Sequence, residues 1–295
     1  VTDATTEARC SQLRAARIPY VHARVVLADR PTSAKPGDEA LVLADGTMEG
    51  FVGGTCAEAT VRDQALRQLL SGESLLLRIT PSPESDQPGK AVVHNPCLSG
   101  GTLEVLLSPE VPAPLVLIQG SAPIAQALLA LGAAMGYDLQ TFDGAVPADA
   151  TAVVVASHGR DEEAALTAAV RAGVPYVGLV ASPVRGKAMV AALDLDREQA
   201  AGIDTPAGLD LGARTPGEVA VSILARVIAV RPLTPIAVPA PPDAALGGTA
   251  TDPVCGMDVA CVEGSLQSLV GEQVVWFCGS GCQRAYLADP SAFAG

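Results

Sequence analysis

No stretch rich in lysine or arginine occurs anywhere in the chain: 19 basic residues stand against 32 acidic ones, for a formal charge of −13. A protein that grips a phosphate backbone neutralises it with clustered cations, so nucleic-acid binding is excluded as the main task. No apolar run approaches the roughly 18 residues a membrane-spanning helix needs. The opening residues, VTDATTEARC, lack the basic start and apolar segment of a secretory signal, so we expect a soluble cytoplasmic protein without a membrane span. Histidine is scarce, with three in all and none after His158. The seven cysteines, Cys10, Cys56, Cys97, Cys255, Cys261, Cys278 and Cys282, are odd in number and scattered, which makes a poor disulfide framework. Reduced thiols used for chemistry or for metal fit better.

What is present suffices for more than one core, since 49% of the 295 residues are apolar. The usual domain size suggests two or three domains. Proline-rich composition shifts divide the chain into residues 1–111, 112–231, a linker at 232–250 and a tail at 251–295. In the first part YVHARVVLAD alternates like a strand. ALVLADGTMEGFV reads as two strands around the Asp45-Gly46 turn, and TCAEATVRDQALRQLLSG has helical spacing that ends at Gly72. SLLLRIT and GTLEVLLS add strands, so this part is α+β. The second part alternates strand and helix from PLVLIQ to PGEVAVSILARVIAV, which predicts a parallel, doubly wound sheet. Ser182-Pro183 and Thr215-Pro216-Gly217-Glu218 read as helix starts, the latter a capping box. The tail holds Trp276, Phe277, Tyr286 and Phe293, four of the nine aromatics in the chain.

Two loops of the first part join glycine pairs to a thiol. In Gly53-Gly54-Thr55-Cys56-Ala57-Glu58 the cysteine falls in the first turn of a helix, where unpaired N–H groups favour a thiolate or a bound oxyanion. The glycines let a ligand approach the backbone. HNPCLSGGTLEV repeats the ingredients, with Cys97 ahead of Gly100 and Gly101. Small buried thiols beside ordinary turns are the other reading of both loops.

After LVLIQ the turn Gly120-Ser121-Ala122-Pro123-Ile124-Ala125 carries alanine at the second glycine of the dinucleotide fingerprint, which argues against tight dinucleotide binding. Asp143 is either a ribose-binding acid or a solvated turn residue. His158, at the carboxyl end of strand AVVVAS, is a candidate cleft residue. Asp210 and Arg214 in GLDLGAR either pair with each other or touch a ligand. In the tail, Cys278 and Cys282 share one face if their segment is helical. With Cys255, and with Cys261 as a candidate fourth ligand, they form a thiolate set suited to zinc or copper(I). A domain held by its aromatics with idle cysteines is the alternative.

GFVGGTCAEATVRDQAL resembles the G-S-V-S-G-G-C-V-E segment of the XdhC/CoxI family, and PCLSGGTLEVLL resembles its G-C-G-G-x-L-E-V loop with the cysteine displaced. AGIDTPAGLDLGARTPGEVAVSILARVI is similar to the family signature P-x-G-L-D-I-G-A-R-T-P-E-E-I-A-x-S-I-L-A. The tail, with DPVCGM, FCGSGC and DP, is similar to YHS domains, small metal-associated modules. These resemblances imply an α/β protein built of an XdhC/CoxI-like α+β domain, a Rossmann-like domain and a YHS module. They further imply a chaperone that binds the molybdenum cofactor (molybdopterin), shelters it and assists its sulfuration with a cysteine desulfurase. Delivery would be to the apoenzyme of a molybdenum hydroxylase, of xanthine dehydrogenase or carbon monoxide dehydrogenase type. The cofactor-facing candidates are then Gly53, Gly54, Cys56, Glu58, Cys97, Gly100, Gly101, Gly120, His158, Asp210 and Arg214, and the reading accommodates a homodimer. An NAD(P)-binding oxidoreductase, and a metal carrier or redox sensor acting through the tail, are the competing functions.

Overall fold

A computed structural model of the chain describes residues 4–85, 88–95, 101–230, 248–271 and 273–293. They form two compact units, Val1–Pro112 with Thr234–Gly295, and Ala113–Leu233. Most of the proline-rich linker, residues 231–247, lies outside the described residues. Among the described residues no helix is long and apolar enough to cross a membrane.

In the first unit the elements run α1 (Ala4–Ala15), β1 (Tyr20–Ala28), β2 (Glu39–Leu43), β3 (Met48–Gly50), α2 (Thr55–Ser71), β4 (Leu75–Thr80), β5 (Lys90–His94) and β6 (Leu103–Glu110). The strands form one sheet in the order β3-β2-β1-β6-β4-β5, antiparallel except for the β4–β5 pair. α2 lies on this sheet through Val61, Ala65 and Leu69, spaced four apart, which meet Val21, Val25, Leu77 and Val105 in one core. It ends where the sequence predicts: Gly72 has φ 72°, and its N–H donates to the Gln68 carbonyl at 2.8 Å. β5 is not anticipated from the sequence, because its four half-buried residues and exposed His94, at a sheet edge, show no alternation.

In the second unit β7 (Leu115–Gln119), α3 (Pro123–Ala134), β8 (Asp138–Thr141), β9 (Ala150–Val155), α4 (Glu162–Arg171), β10 (Tyr176–Leu179), α5 (Pro183–Ala192), α6 (Arg197–Ala201), β11 (Ile203–Asp204) and α7 (Pro216–Val230) follow one another. The sheet order is β11-β10-β9-β7-β8, all parallel, as the alternating pattern predicts. Along β7 the side chains alternate between faces. Leu115 and Leu117 join the core with α4, while Val116 and Ile118 join the core with α3 and α7. Both predicted helix starts are present: Ser182 Oγ accepts from the Arg185 N–H at 3.3 Å, and Thr215 and Glu218 cap each other reciprocally at 3.3 and 2.9 Å.

The tail adds two hairpin-like pairs, β12 (Thr249–Thr251) with β13 (Asp258–Ala260) and β14 (Leu266–Val270) with β15 (Gln273–Phe277), then α8 (Ser280–Ala288) and a 3₁₀ turn, Pro290–Phe293. Phe277, Tyr286 and Phe293 touch in sequence as tilted ring pairs, with centroids 5.6 and 6.1 Å apart. The tail belongs to the first unit and packs on α2. Ala59 of α2 is buried with Met257, Val259 and Cys278. Two turns further along, Arg67 reaches across to Thr249 at 3.0 Å and holds Asp63 at 3.1 Å. Gly46, in the β2–β3 turn, has a φ of 82° and no room for a side chain beside Val262. α2 is therefore apolar on two faces, one toward the sheet and one toward the tail.

Candidate thiol site and adjoining cleft

The site begins at the turn into α2. Gly53 has φ 143°, a conformation that L side chains rarely adopt, and a Cβ there would press on Ala57 and Leu103. Gly54, in ordinary extended conformation, is the residue preceding the helix, and among the described residues no side chain caps the N–H groups that follow it. Thr55 and Cys56 are thus the first two helical residues, where the amides point outward and carry the positive end of the helix dipole. A second helix start faces the same space. α8 opens after Gly279, again without a side-chain cap, and a Cβ on Gly279 would lie 3.5 Å from the Cys56 sulfur. Between them lies a cleft of ≈ 870 Å³ whose walls include Gly54, Thr55, Cys56, Gly279, Ser280 and Arg30.

The tail side is organised by Asp252, which is fully buried. One carboxylate oxygen accepts from the Val254 N–H at 2.9 Å and the other from the Cys278 N–H at 2.8 Å. Its own backbone brackets the turn, donating to the Met257 carbonyl and accepting from the Gly256 N–H, both at 2.8 Å. Gly256 has φ 74°, and the Met257 N–H favours a thiolate at Cys255. Asp252 therefore ties the Cys255 turn to the end of β15, so that Cys255 and Cys278 face one another. Cys282 follows from the first turn of α8.

The sulfurs converge on Cys278, which lies 3.5 Å from Cys255, 3.7 Å from Cys282 and 4.0 Å from Cys56. The ligand atoms of Asp252, Cys255, Cys278 and Cys282 all lie within 4.8 Å of one another. Such crowding splits the acidities. Cys255 is brought down to about 7 by the hydrogen bond from Cys278 and the Met257 N–H against the effect of burial. Cys282 is pushed up to about 12, by burial first and then by the charge on Cys255. Contact with Cys255 and Cys56, together with burial, drives Cys278 far upward. A group of thiols in which one ionises readily and its neighbours resist is ready for a cation that removes the remaining protons.

Other sequence candidates stand elsewhere. Cys97 and Gly100 lie outside the described residues. Gly101 lines the cleft, but its missing side chain is explained by the chain itself, because a Cβ would collide with the carbonyl oxygens of Asp29 and Pro31. Glu58 acts electrostatically on Arg62, whose guanidinium is pulled below its ordinary range by burial while the Glu58 charge opposes the change. Cys261 is not in the thiol group. Its N–H donates to the Gly248 carbonyl at 2.8 Å, and burial raises its pKa. Asp252 and Arg30 were not singled out by sequence reasoning. The aspartate of DPVCGM resembles a turn residue until its contact with Cys278 is seen, and an isolated arginine carries no signal.

In the second unit the strand order, counted along the chain as 2-1-3-4-5, reverses between β7 and β9, where doubly wound sheets bind ligands. Gly120 lies at the β7 end with φ 108°, and a Cβ there would collide with the Ala156 carbonyl, so packing accounts for it. His158 is exposed at the end of β9 in left-handed conformation, φ 54°. Its loop is held by the buried Glu162, which accepts from the Gly159 N–H at 2.7 Å and pairs with Arg185. Asp143 accepts from the Ala145 N–H at 3.1 Å, the solvated-turn alternative. Asp210 and Arg214 are both exposed and form no ion pair with each other among the described residues. Arg214 borders an open groove of ≈ 560 Å³ with Leu131, Leu211 and Val221.

Fold and site together define a class of protein that joins a thiol-bearing mixed sheet to a doubly wound parallel sheet. Residues 13–80 match the XdhC and CoxI family, and residues 116–227 match the XdhC Rossmann domain. Over these two segments the chain is similar to the XdhC and CoxI family and to its Rossmann domain. The uncharacterized protein YqeB of Escherichia coli strain K12 is 24% identical over 252 residues, covering 75% of this chain and 45% of that protein. The chain therefore spans less than half the length of that relative. Among solved structures, a xanthine dehydrogenase from Bacillus halodurans is 16% identical, with a TM-score of 0.35, over 76% of this chain and 94% of that one.

Proposed function

We propose that this protein is an accessory factor of a molybdenum hydroxylase that holds the molybdenum cofactor in the cleft beside Cys56. The observation that carries the reading is the cleft itself, which opens at the GGTC turn within the segment that matches the XdhC and CoxI family. Its chemistry suits an anionic, phosphate-bearing heterocycle. Two uncapped helix starts and Arg30 supply positive potential and N–H donors. A volume of ≈ 870 Å³ is ample for a ligand of that size. Gly54 leaves the backbone open, with no atom within 4 Å of a Cβ placed on it. When bound, the molybdenum centre brings the redox chemistry of the client enzyme, while this chain's residues bind, orient and shield. Sulfuration with a cysteine desulfurase and delivery to an apoenzyme of xanthine dehydrogenase or carbon monoxide dehydrogenase type complete the proposal. His158, Asp210 and Arg214 are the second unit's candidates in the same work. The tail, in its resemblance to a YHS module, is proposed to hold zinc or copper(I) through Cys255, Cys278 and Cys282.

The test is anaerobic incubation with released cofactor, desalting, and measurement of retained pterin and molybdenum. Wild type should retain about one equivalent. Gly54→Phe fills the cleft from a position whose backbone tolerates a side chain, and it should abolish retention. Retention unchanged in that variant would remove the cofactor from this cleft, and none by wild type would end the carrier reading.

A further inference from the structure

We propose that Cys56, from the first turn of α2, is the fourth ligand of a tetrahedral zinc-type site whose other ligands are the tail residues Cys255, Cys278 and Cys282. The bound ion would clasp the tail to α2. The inference rests on the reading of the tail as a metal module and extends it to a residue nearly two hundred positions upstream.

Geometry is the first argument. Zinc–sulfur bonds of about 2.3 Å place the sulfurs of a tetrahedral site about 3.8 Å apart. The distances from Cys278 to Cys255, Cys282 and Cys56 are 3.5, 3.7 and 4.0 Å, which bracket that edge at one corner of the tetrahedron, and binding would draw Cys56 in toward Cys255 and Cys282. All are far too long for a disulfide bond of about 2.05 Å. Asp252 is the harder donor of the group, and each of its carboxylate oxygens already spends one lone pair on a backbone N–H, so a fourth thiolate suits a soft-ligand site better. The aspartate acts as a positioning residue that fixes the Cys255 turn against Cys278. Cys261, the other cysteine of the tail, lies outside the thiol cluster, its N–H donating to the Gly248 carbonyl just ahead of β12.

Electrostatics is the second argument. Four thiolates around a divalent ion leave a net charge of about −2, which burial alone would oppose. Here Cys56 and Cys282 each occupy the first turn of a helix, α2 and α8, so that two positive dipole ends face the cluster. Ala59, Met257, Val259 and Trp276 form an apolar surround. Soft thiolate donors in closed tetrahedral array select zinc among the common divalent ions.

The experiment uses the full chain, reduced, stripped of metal and handled anaerobically. Wild type, Cys56→Ser, Cys255→Ser and Cys261→Ser are titrated with Cd²⁺, read by sulfur-to-metal charge transfer, and with Zn²⁺ in competition with a chelator. In parallel, each thiol of the wild type is alkylated with and without Zn²⁺ and located by mass spectrometry. Wild type should take one ion and protect Cys56, Cys255, Cys278 and Cys282 together, leaving Cys261 unaffected. Cys56→Ser should lose about one quarter of the charge-transfer intensity and bind roughly 100-fold more weakly or worse. Cys261→Ser should match wild type. If wild type takes up the ion while Cys56 is alkylated as fast as in the metal-free protein, the fourth-ligand assignment fails and the tail site survives. If wild type takes up no ion, both fail. The alkylation pattern is measured on wild type, so the assignment is tested even if a variant misfolds.

Discussion

At the scale of single residues, Glu162 shows how a buried acid holds a loop in shape. Its burial alone would raise its pKa, but Arg185, the Gly159 N–H and the Ser157 hydroxyl together hold it below the ordinary value. The folded state thus binds this proton less readily than the unfolded chain, so the stabilisation is complete above the unfolded value of about 4.3 and fades as pH falls through the folded value. We expect Glu162→Gln to cost about 1–3 kcal/mol at pH 7, with the gap from wild type narrowing below about pH 4, as measured by urea unfolding at both pH values. The His158 loop should become more mobile in the variant. Asp252 performs the same kind of task in the tail, with two amide donors instead of an arginine. Neither role is legible in the sequence. An acid after SHGRD or before PVC looks like a solvated turn residue, and only the fold brings its partners within reach.

At the scale of elements, α2 is the pivot of the first unit. Its helical period, glycine start and glycine stop are legible in GGTCAEATVRDQALRQLLSG, because capping and periodicity are local properties. Its second apolar face is not, since Cys56, Ala59 and Asp63 become an interface only when the tail folds back onto them. The two faces can be separated by mutation. Leu69→Ala, on the sheet face, should destabilise the first unit by about 2–5 kcal/mol in chemical denaturation. Ala59→Leu should overpack the tail face and loosen β13 and α8 while leaving the sheet intact, seen as faster amide exchange confined to residues 248–293. Equal loosening of the sheet would show that the two faces act as one cooperative body.

At the scale of the whole molecule, two units with separate cores should answer differently to loss of metal. Under strong chelation we expect faster tryptic cleavage after the exposed Arg284, while cleavage within the second unit, for example after Arg171, keeps its rate. A uniform increase across both units would argue for general unfolding instead of release of a clasp. The α/β class, the parallel sheet, the caps and the thiol-rich tail follow from the sequence by itself, because hydrophobic period, glycine placement and cysteine spacing act over a few neighbouring residues. The tertiary structure alone decided that the GGTC turn and the FCGSGC turn face one another, that Cys56 joins the tail thiols and Cys261 does not, and that Gly101 and Gly120 are glycines for the sake of packing. Those outcomes depend on contacts between segments as far apart as Cys56 and Cys278, and no local pattern of residues encodes such a distance in advance.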